Sequence, residues 1–214
     1  QNLEFKEGEG PILSSISSKE DFQLLKKIDD IHETLNPVYE AVSMIKSKLN
    51  KEITFIGFAG SPWTVATYMI EGKGSKDHHK TKSFMFRYPE TFDKLISKIE
   101  LATVEYLSKQ ILSGVDVIKL FDSWAGSLPG TYLERYSLLP MKNIALELKK
   151  RFPSLPIIVF PRGVGPMYQA FSKVKEFDCI AIDSSINPEW AAKNIQIHKT
   201  IQGNLDPALL LSDT

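Results

Sequence analysis

The sequence predicts an α/β fold built on a parallel sheet. Five short apolar runs, rich in β-branched and aromatic residues, alternate with segments of helical periodicity. No second region of different composition interrupts this alternation, so we expect residues 1–214 to form a single domain. Every run ends in a loop with glycine or polar residues, whereas a doubly wound sheet concentrates such chemistry at one glycine-rich turn. The sequence therefore favours a (β/α)8 TIM barrel over an open sheet.

The barrel is expected to be incomplete in this chain. A full barrel takes about 250 residues, and only five strands are predicted within 214 residues. The chain begins with Gln1 rather than Met, and an apolar run at 208–211 lies close to its last residue. We therefore expect residues 1–214 to be the central part of a longer barrel domain.

The first fifty residues predict a loop and two helices. Residues 1–16 have little periodicity and include a Gly-Pro turn, so we expect a surface loop. Ser17 and Glu20 have the spacing of a capping box, which predicts a helix start. The Asn-Pro pair at 36–37 places a cap residue before a proline at the first helical position, and it predicts the start of the second helix.

The rest of the chain predicts the alternation of strands and helices. The strands are expected at 53–56, 115–121, 156–160, 179–182 and 200–203. Residues 58–69 should hold the loop after the first strand and the start of the next helix. Further helices are expected at 89–114, 131–139, 141–152, 167–175 and 188–194. The second strand is almost entirely apolar, so we expect it to be covered on both faces.

Composition excludes several classes of partner. Lys plus Arg and Asp plus Glu number 26 each, so no global positive field attracts nucleic acid or an anionic membrane. No apolar run approaches the length of about 20 residues that spans a bilayer, and no signal peptide is visible. The single cysteine, Cys179, excludes an internal disulfide. We expect a cytoplasmic protein with neither nucleic-acid nor membrane partners.

Three local patterns have simple structural explanations. The glycine-rich segment 72–75 lacks the Walker spacing, which favours a flexible turn over a phosphate cradle. His78 and His79 lie in a charged run with no further ligand at metal spacing, so we expect a solvated helix start and no metal site. Cys179 lies inside an apolar strand and predicts a small buried side chain. The motif G-x-S-x-G does not occur, which argues against a nucleophilic hydrolase.

Polar side chains at or beyond the predicted strand ends are the candidate site residues: Tyr68, Asp122, Ser123, Arg162 and Asp183. The carboxyl ends of parallel strands meet at one edge, so these residues are expected to share a face. Tyrosine and serine offer neutral hydrogen bonds, and arginine offers a bidentate contact to carboxylate. Structural alternatives remain open: Asp122 could order its own turn, Asp183 could cap a helix, and Tyr68 could belong to the core.

Longer motifs resemble one family. Residues 55–64 are FIGFAGSPWT, 67–69 are TYM, 120–126 are LFDSWAG and 202–207 are QGNLDP. In this order and spacing the motifs closely resemble uroporphyrinogen decarboxylases. The likeness extends from about residue 8 to the end of the chain.

The resemblance implies a fold and an activity. The family is similar in fold to a (β/α)8 barrel and usually forms a homodimer whose two active-site clefts face each other. Its members are carboxy-lyases that decarboxylate the four acetate side chains of uroporphyrinogen III, giving coproporphyrinogen III for heme synthesis. They use no metal or organic cofactor. The pyrrole ring, protonated at carbon, accepts the electrons left when carbon dioxide departs.

The resemblance also implies roles for five residues of this sequence. Tyr68 and Ser123 match positions that hydrogen-bond substrate carboxylates. Gly60 matches a position of close backbone approach, and Phe58 and Phe121 match positions that line the cleft beside the macrocycle. The family's Arg-rich segment, the Asp that faces the pyrrole nitrogens and the C-terminal His match no position in residues 1–214. The catalytic residue is therefore unknown.

Two other functions remain open from the sequence. A related zinc-dependent corrinoid or thiol methyltransferase would need His and Cys ligands at late strand ends, and the single Cys179 argues against it. A non-catalytic porphyrin-binding barrel would retain the cleft while lacking the Arg-rich segment and the Asp.

Overall fold

The computed structural model describes residues 3–6 and 10–212, which form a short hairpin and a parallel sheet with helices. The strands of the sheet are β3 (Ile56–Gly60), β4 (Val117–Asp122), β5 (Ile157–Pro161), β6 (Cys179–Ala181) and β7 (Thr200–Gln202). Each strand pairs in parallel with the next along the chain. A doubly wound sheet reverses its strand order at a switch point, whereas a barrel keeps sequential order. These strands are consecutive β/α units of a (β/α)8 barrel, as predicted.

The helices lie between the strands and before them. They are α1 (Lys19–Gln23), α2 (Ile31–Lys48), α3 (Pro62–Glu71), α4 (His79–Arg87), α5 (Pro89–Leu112), α6 (Thr131–Leu133), α7 (Leu139–Arg151), α8 (Tyr168–Ser172) and α9 (Pro188–Ala191). Short 3-10 turns lie at Ile28–Asp30, Ala125–Ser127, Gly165–Met167 and Pro207–Leu210, and π-helical segments at Glu134–Leu138 and Ala192–Gln196. Within the described residues, no helix is long and apolar enough to cross a membrane.

The two faces of the sheet differ in burial because successive strand residues point to opposite sides. Ile118, Leu120 and Val159 are 0% exposed, and they lie on the outer face that the helices cover. On the inner face Phe58 is 59% exposed, and Lys119 and Phe121 are only half-buried. The prediction that the second strand is covered on both faces is therefore wrong for its inner residues. The hydrophobic core lies between the outer face and the helices.

The strands β4 to β7 lie within two residues of their predicted bounds, but β3 does not. The sequence predicted a strand at 53–56, and the structure places it at Ile56–Gly60. Glycine and alanine have low strand propensity, so the local sequence pattern does not indicate this strand. Gly57 has a packing reason, since a Cβ there would approach Gln110 Oε1 at 2.7 Å and Val115 Cγ2 at 2.9 Å. Tight packing against these neighbours therefore requires a small residue in the strand, despite its low strand propensity.

A β-hairpin occupies much of the segment predicted as a surface loop. β1 (Leu3–Lys6) pairs antiparallel with β2 (Gly10–Leu13). The prediction of a loop is therefore wrong for 3–6 and 10–13 and right for 14–16, while residues 1, 2 and 7–9 lie outside the described residues. Each strand has only four residues, which is too few for a period-two pattern to stand out.

The predicted helix starts near the amino terminus are shifted. The capping box is formed by Ser18 and Asp21, one residue later than predicted: the Asp21 N–H donates to Ser18 Oγ at 3.1 Å, and the Ser18 N–H donates to Asp21 Oδ2 at 3.0 Å. Pro37 does not begin a helix, because it lies inside α2. A proline in the second turn removes one hydrogen bond, and packing of the remaining turns compensates for that loss.

The two helices predicted at 131–139 and 141–152 are one continuous helical segment. The π-helical residues Glu134–Leu138 connect α6 to α7, so Pro140 does not separate two helices. Proline lacks an N–H donor, and here it follows a turn in which the α-helical hydrogen-bond ladder is already interrupted. The missing donor therefore costs less than it would in a regular helix.

Candidate functional site

The candidate site begins where β3 and β4 end. Gly60 and Phe121 are neighbours in the strand register, and the Ser61 N–H donates to the Phe121 carbonyl oxygen at 2.7 Å. The carboxyl ends of β3 to β7 form one edge of the sheet, here called the rim. In parallel α/β barrels this edge carries the active site. The motifs singled out in the sequence at 55–64 and 120–126 therefore meet at the rim.

A row of phenylalanines covers the inner face of the sheet just below the rim. Phe58 and Phe121 make an edge-to-face contact with ring centroids 5.8 Å apart, and Phe121 and Phe160 make another at 6.1 Å. Phe58 remains 59% exposed. Aromatic rings at this spacing attract each other and offer a broad apolar surface. Such a surface suits a large planar ligand.

Tyr68 and Ser123 are brought to the same part of the rim through Trp124. The Tyr68 ring lies 4.5 Å from the Trp124 ring, and Trp124 follows Ser123 directly in the chain. The Trp124 carbonyl accepts a hydrogen bond from Trp63 Nε1 at 3.0 Å, which fixes this loop against α3. Tyr68 is 38% exposed, so it is not a core residue.

The hydroxyl groups of Tyr68 and Ser123 are available to a ligand. Within residues 3–6 and 10–212 neither side chain makes a hydrogen bond. Ser123 is half-buried, in the same loop as Trp124. A hydroxyl group can donate to a carboxylate, and an aromatic neighbour excludes part of the competing water. Together with the phenylalanine row, these hydroxyls can bind a flat molecule that carries carboxylates at its edge.

Asp122 does not open to the rim. It is fully buried on the outer face, where its carboxylate accepts hydrogen bonds from Thr64 Oγ1 at 2.7 Å and Ser137 Oγ at 2.6 Å. Burial raises the pKa of Asp122 to about 6 despite these hydrogen bonds. Asp122 connects the end of β4 to α3 and to the helical segment that follows. The structural alternative therefore applies to Asp122: it positions the loop that contains Ser123.

Asp183 is also occupied by protein donors. It accepts hydrogen bonds from the Gly163 N–H at 2.8 Å, from Tyr168 Oη at 2.9 Å and from the Ser185 backbone and hydroxyl. Although partial burial raises its pKa, the hydrogen bonds from Ser185, Gly163 and Tyr168 prevail and hold the pKa of Asp183 below its usual value. Asp183 thus orders the loops after β5 and β6. Arg162, the first residue after β5, is exposed to solvent.

The structure corrects the expectation for His78. The sequence predicted a solvated helix start, but His78 is only 2% exposed and precedes α4 in a left-handed conformation with φ of 52°. Its ring lies 5.0 Å from the Trp124 ring, and within the described residues its Nδ1 atom has no hydrogen-bond partner. Burial lowers the pKa of His78, which favours the neutral ring. His79, the next residue, begins α4 and is exposed.

The sequence pattern predicted the wrong surroundings for His78, and Lys119 was not singled out. His78 packs behind the Tyr68 and Trp124 pair, and nothing in its charged surroundings in the sequence indicates burial. Lys119 is the one charged residue before the end of an otherwise apolar strand, VIKLFD, and that isolation was a usable signal. In the part of the chain that the structure describes, no cluster of three His, Cys, Asp or Glu residues could hold a metal ion.

A cavity of about 590 Å³ lies beside β3. Phe58 and Gly60 contribute to its lining, together with Met69, Leu95 and Tyr106 from the helices. Tyr68 and Ser123 do not line it. The cavity follows the edge of β3 that pairs with no described strand, where a closed barrel has a further strand. The rim, and not this cavity, is therefore the candidate site.

Comparison with known proteins gives consistent matches over the whole chain. Residues 1–214 match the family model described as Uroporphyrinogen decarboxylase (URO-D). Relatives named Uroporphyrinogen decarboxylase include one from Jannaschia sp. (strain CCS1), 52% identical over 211 residues, and one from Rhodobacter capsulatus, 50% identical over 212 residues. Both alignments cover 99% of this chain and 62% of the relative. The chain thus spans about three fifths of the length of these curated relatives.

A solved structure shares the fold. A methyltransferase from Methanosarcina mazei matches with a TM-score of 0.77 at 16% sequence identity, covering 95% of this chain and 59% of that structure. At this identity the likeness concerns the fold alone.

Proposed function

Since the chain belongs to the uroporphyrinogen decarboxylase family, we propose that the protein removes carbon dioxide from the four acetate side chains of uroporphyrinogen III. The product is coproporphyrinogen III, an intermediate of heme synthesis. The observation that carries this proposal is the position of Tyr68 and Ser123: their hydroxyls make no hydrogen bond within the described residues, Tyr68 packs on Trp124, and the loop that holds Ser123 and Trp124 follows the strand of Phe121.

The reaction requires an electron sink, and the proposed substrate supplies one. A pyrrole ring protonated at carbon is cationic and accepts the electron pair of the bond between the acetate methylene and its carboxylate carbon. Carbon dioxide leaves, the methylene gains a proton, and the ring loses one, so a methyl group remains. The protein has to bind the macrocycle, hold one acetate away from water and favour the cationic ring. The proposal therefore includes no metal or organic cofactor.

The residues at the rim support a binding role. Tyr68 and Ser123 donate hydrogen bonds to substrate carboxylates in this proposal, and Phe58 and Phe121 contact the macrocycle. Gly60 would permit close backbone approach at the end of β3, where a Cβ would come within 3.0 Å of Val65 Cγ2. The carboxylate that would stabilise the cationic pyrrole is not assigned, because Asp122 and Asp183 are both occupied structurally.

The setting of the protein is part of the proposal. We place it in the cytoplasm as a homodimer, with residues 1–214 forming the central part of one barrel domain. Balanced charge supports the absence of nucleic-acid and membrane partners.

The test is product analysis with the protein as its gene encodes it. Anaerobic incubation with uroporphyrinogen III, followed by oxidation and chromatographic separation, should give porphyrins with successively fewer carboxylates, ending at coproporphyrin III. Binding of the porphyrin without loss of carboxylate would favour the non-catalytic barrel instead. Stoichiometric zinc together with methyl transfer to a thiol would favour a methyltransferase.

A further inference from the structure

The inner face of the sheet carries a cationic side chain within the phenylalanine row. Lys119 lies in the middle of β4, in register with Phe58 on one side and Ile158 on the other. Its Nζ atom lies 4.7 Å from the centroid of Phe121 and 5.4 Å from that of Phe160. Both rings belong to the next layer toward the rim. The Lys119 side chain therefore extends toward the rim, and its ammonium group lies beside the proposed macrocycle surface.

The hydrogen-bond partner of this ammonium group is neutral. Nζ donates to Gln202 Oε1 at 2.6 Å, at the carboxyl end of β7. Two aromatic faces add a weak electrostatic attraction, since a ring quadrupole attracts a cation within about 6 Å. These contacts orient the ammonium group without neutralising its charge. Its burial lowers the pKa of Lys119, in keeping with a cation that has lost hydration.

Other lysines of the chain form ion pairs with carboxylates, which is the usual arrangement. Lys46 Nζ lies 2.6 Å from Asp116 Oδ2, and Lys149 Nζ lies 2.8 Å from Asp178 Oδ2. Among the described residues, by contrast, no carboxylate oxygen lies within 4.0 Å of Lys119 Nζ, so Lys119 forms no ion pair there. A partly buried cation without a carboxylate partner is stabilised most by an anion that binds it directly, with no water between them.

We propose that Lys119 binds a side-chain carboxylate of a polycarboxylate tetrapyrrole that rests on Phe58 and Phe121. This inference rests on the function proposed above and adds a positive contact to the neutral hydroxyls of Tyr68 and Ser123. Lys119 lies deeper than the rim, so the carboxylate it binds points into the barrel. The hydroxyls then contact carboxylates nearer to solvent.

The test is equilibrium binding of uroporphyrin III to the protein as its gene encodes it, measured by porphyrin fluorescence at several salt concentrations. Lys119→Gln should raise the dissociation constant about tenfold or more, the typical effect of losing a charge-assisted hydrogen bond. It should also flatten the dependence of binding on salt. Lys119→Arg should retain most of the affinity. Lys150→Gln removes an exposed lysine that pairs with Glu147 on α7, and it should bind within about twofold of the wild type.

A second variant keeps the lysine in place. Gln202→Glu introduces a carboxylate at the 2.6 Å contact and neutralises the ammonium group internally. If Lys119 binds the ligand, Gln202→Glu weakens uroporphyrin binding as Lys119→Gln does, while thermal stability is kept or increased. If the Lys119 and Gln202 contact only supports the barrel, Gln202→Glu leaves binding unchanged, and the inference is overturned.

The outcomes separate this inference from the function proposed above. A wild-type protein that does not decarboxylate uroporphyrinogen III but binds uroporphyrin in a Lys119-dependent and salt-dependent manner refutes the activity and supports the binding role. A wild-type protein that turns over normally while Lys119→Gln binds within twofold and with unchanged salt dependence refutes only the role of Lys119.

Discussion

Replacing Asp122 by asparagine should remove a pH-dependent contribution to the free energy of unfolding. Asp122 is fully buried, and its pKa rises from 3.8 to about 6 in the folded protein. The folded state therefore binds this proton more tightly than the unfolded state does. The resulting stabilisation is fully present below pH 3.8, and it is lost as the pH rises through about 6.

The size of the effect follows from the two pKa values. Their difference corresponds to about 3 kcal/mol over the whole titration, and about 1 kcal/mol of this lies between pH 7.5 and pH 5. Asparagine has the same shape and keeps an acceptor oxygen for Thr64 or Ser137. It does not titrate, so Asp122→Asn should lack this contribution.

The assay is urea denaturation of the wild type and Asp122→Asn at pH 5, 6 and 7.5. When the pH is lowered from 7.5 to 5, the wild type should gain about 1 kcal/mol of unfolding free energy relative to the variant. Asp183→Asn is the matched control: the pKa of Asp183 is held below 3.8, so its stabilisation is lost only at lower pH. Its difference from the wild type should be flat over the same range. A flat difference for Asp122→Asn as well would refute the buried, proton-binding carboxyl.

Two further predictions concern the rim and the turn after α3. Tyr68→Phe removes a hydroxyl and retains the ring that packs on Trp124, so kcat/KM for uroporphyrinogen III should fall about tenfold with an unchanged melting temperature. Unchanged turnover would exclude Tyr68 from the site. Gly72 ends α3 with φ of 79°, and a Cβ there would approach the Leu13 carbonyl oxygen at 2.9 Å. Gly72→Ala should therefore cost at least about 1 kcal/mol in thermal unfolding, whereas Gly74→Ala, with open space around it, should cost less.

The parallel sheet could be predicted because four of its strands are apolar runs bounded by turn residues. The elements that were misplaced share a physical cause, which is that tertiary packing overrode local preference. β3 uses glycine and alanine where its neighbours leave little room, and α2 continues through Pro37 while Lys46, near its carboxyl end, pairs with the distant Asp116. Such compensations depend on residues distant in the sequence, so no local pattern indicates them.

The candidate site was predictable in part for a related reason. The positions of Tyr68 and Ser123 near strand ends follow from the barrel rule. Their meeting through Trp124 depends on the packing of α3 against the loop after β4, which the sequence does not specify. Burial of His78 follows from the same packing, since its ring lies 5.0 Å from the ring of Trp124. A pair of histidines among lysines gives no sign of that contact.

The division of roles along β4 follows from a single physical rule. Strand residues alternate between faces, so Lys119 and Phe121 share the inner face, while Ile118, Leu120 and Asp122 share the outer one. An unpaired lysine cannot be buried beneath the helices, because the cost of desolvating its charge would exceed the gain from packing. Lys119 therefore determines which face is inner. Once that face is known, Asp122 must point toward the helices and Phe121 toward the inside of the barrel, so the charge in the middle of the strand distinguishes a structural carboxylate from the proposed binding surface.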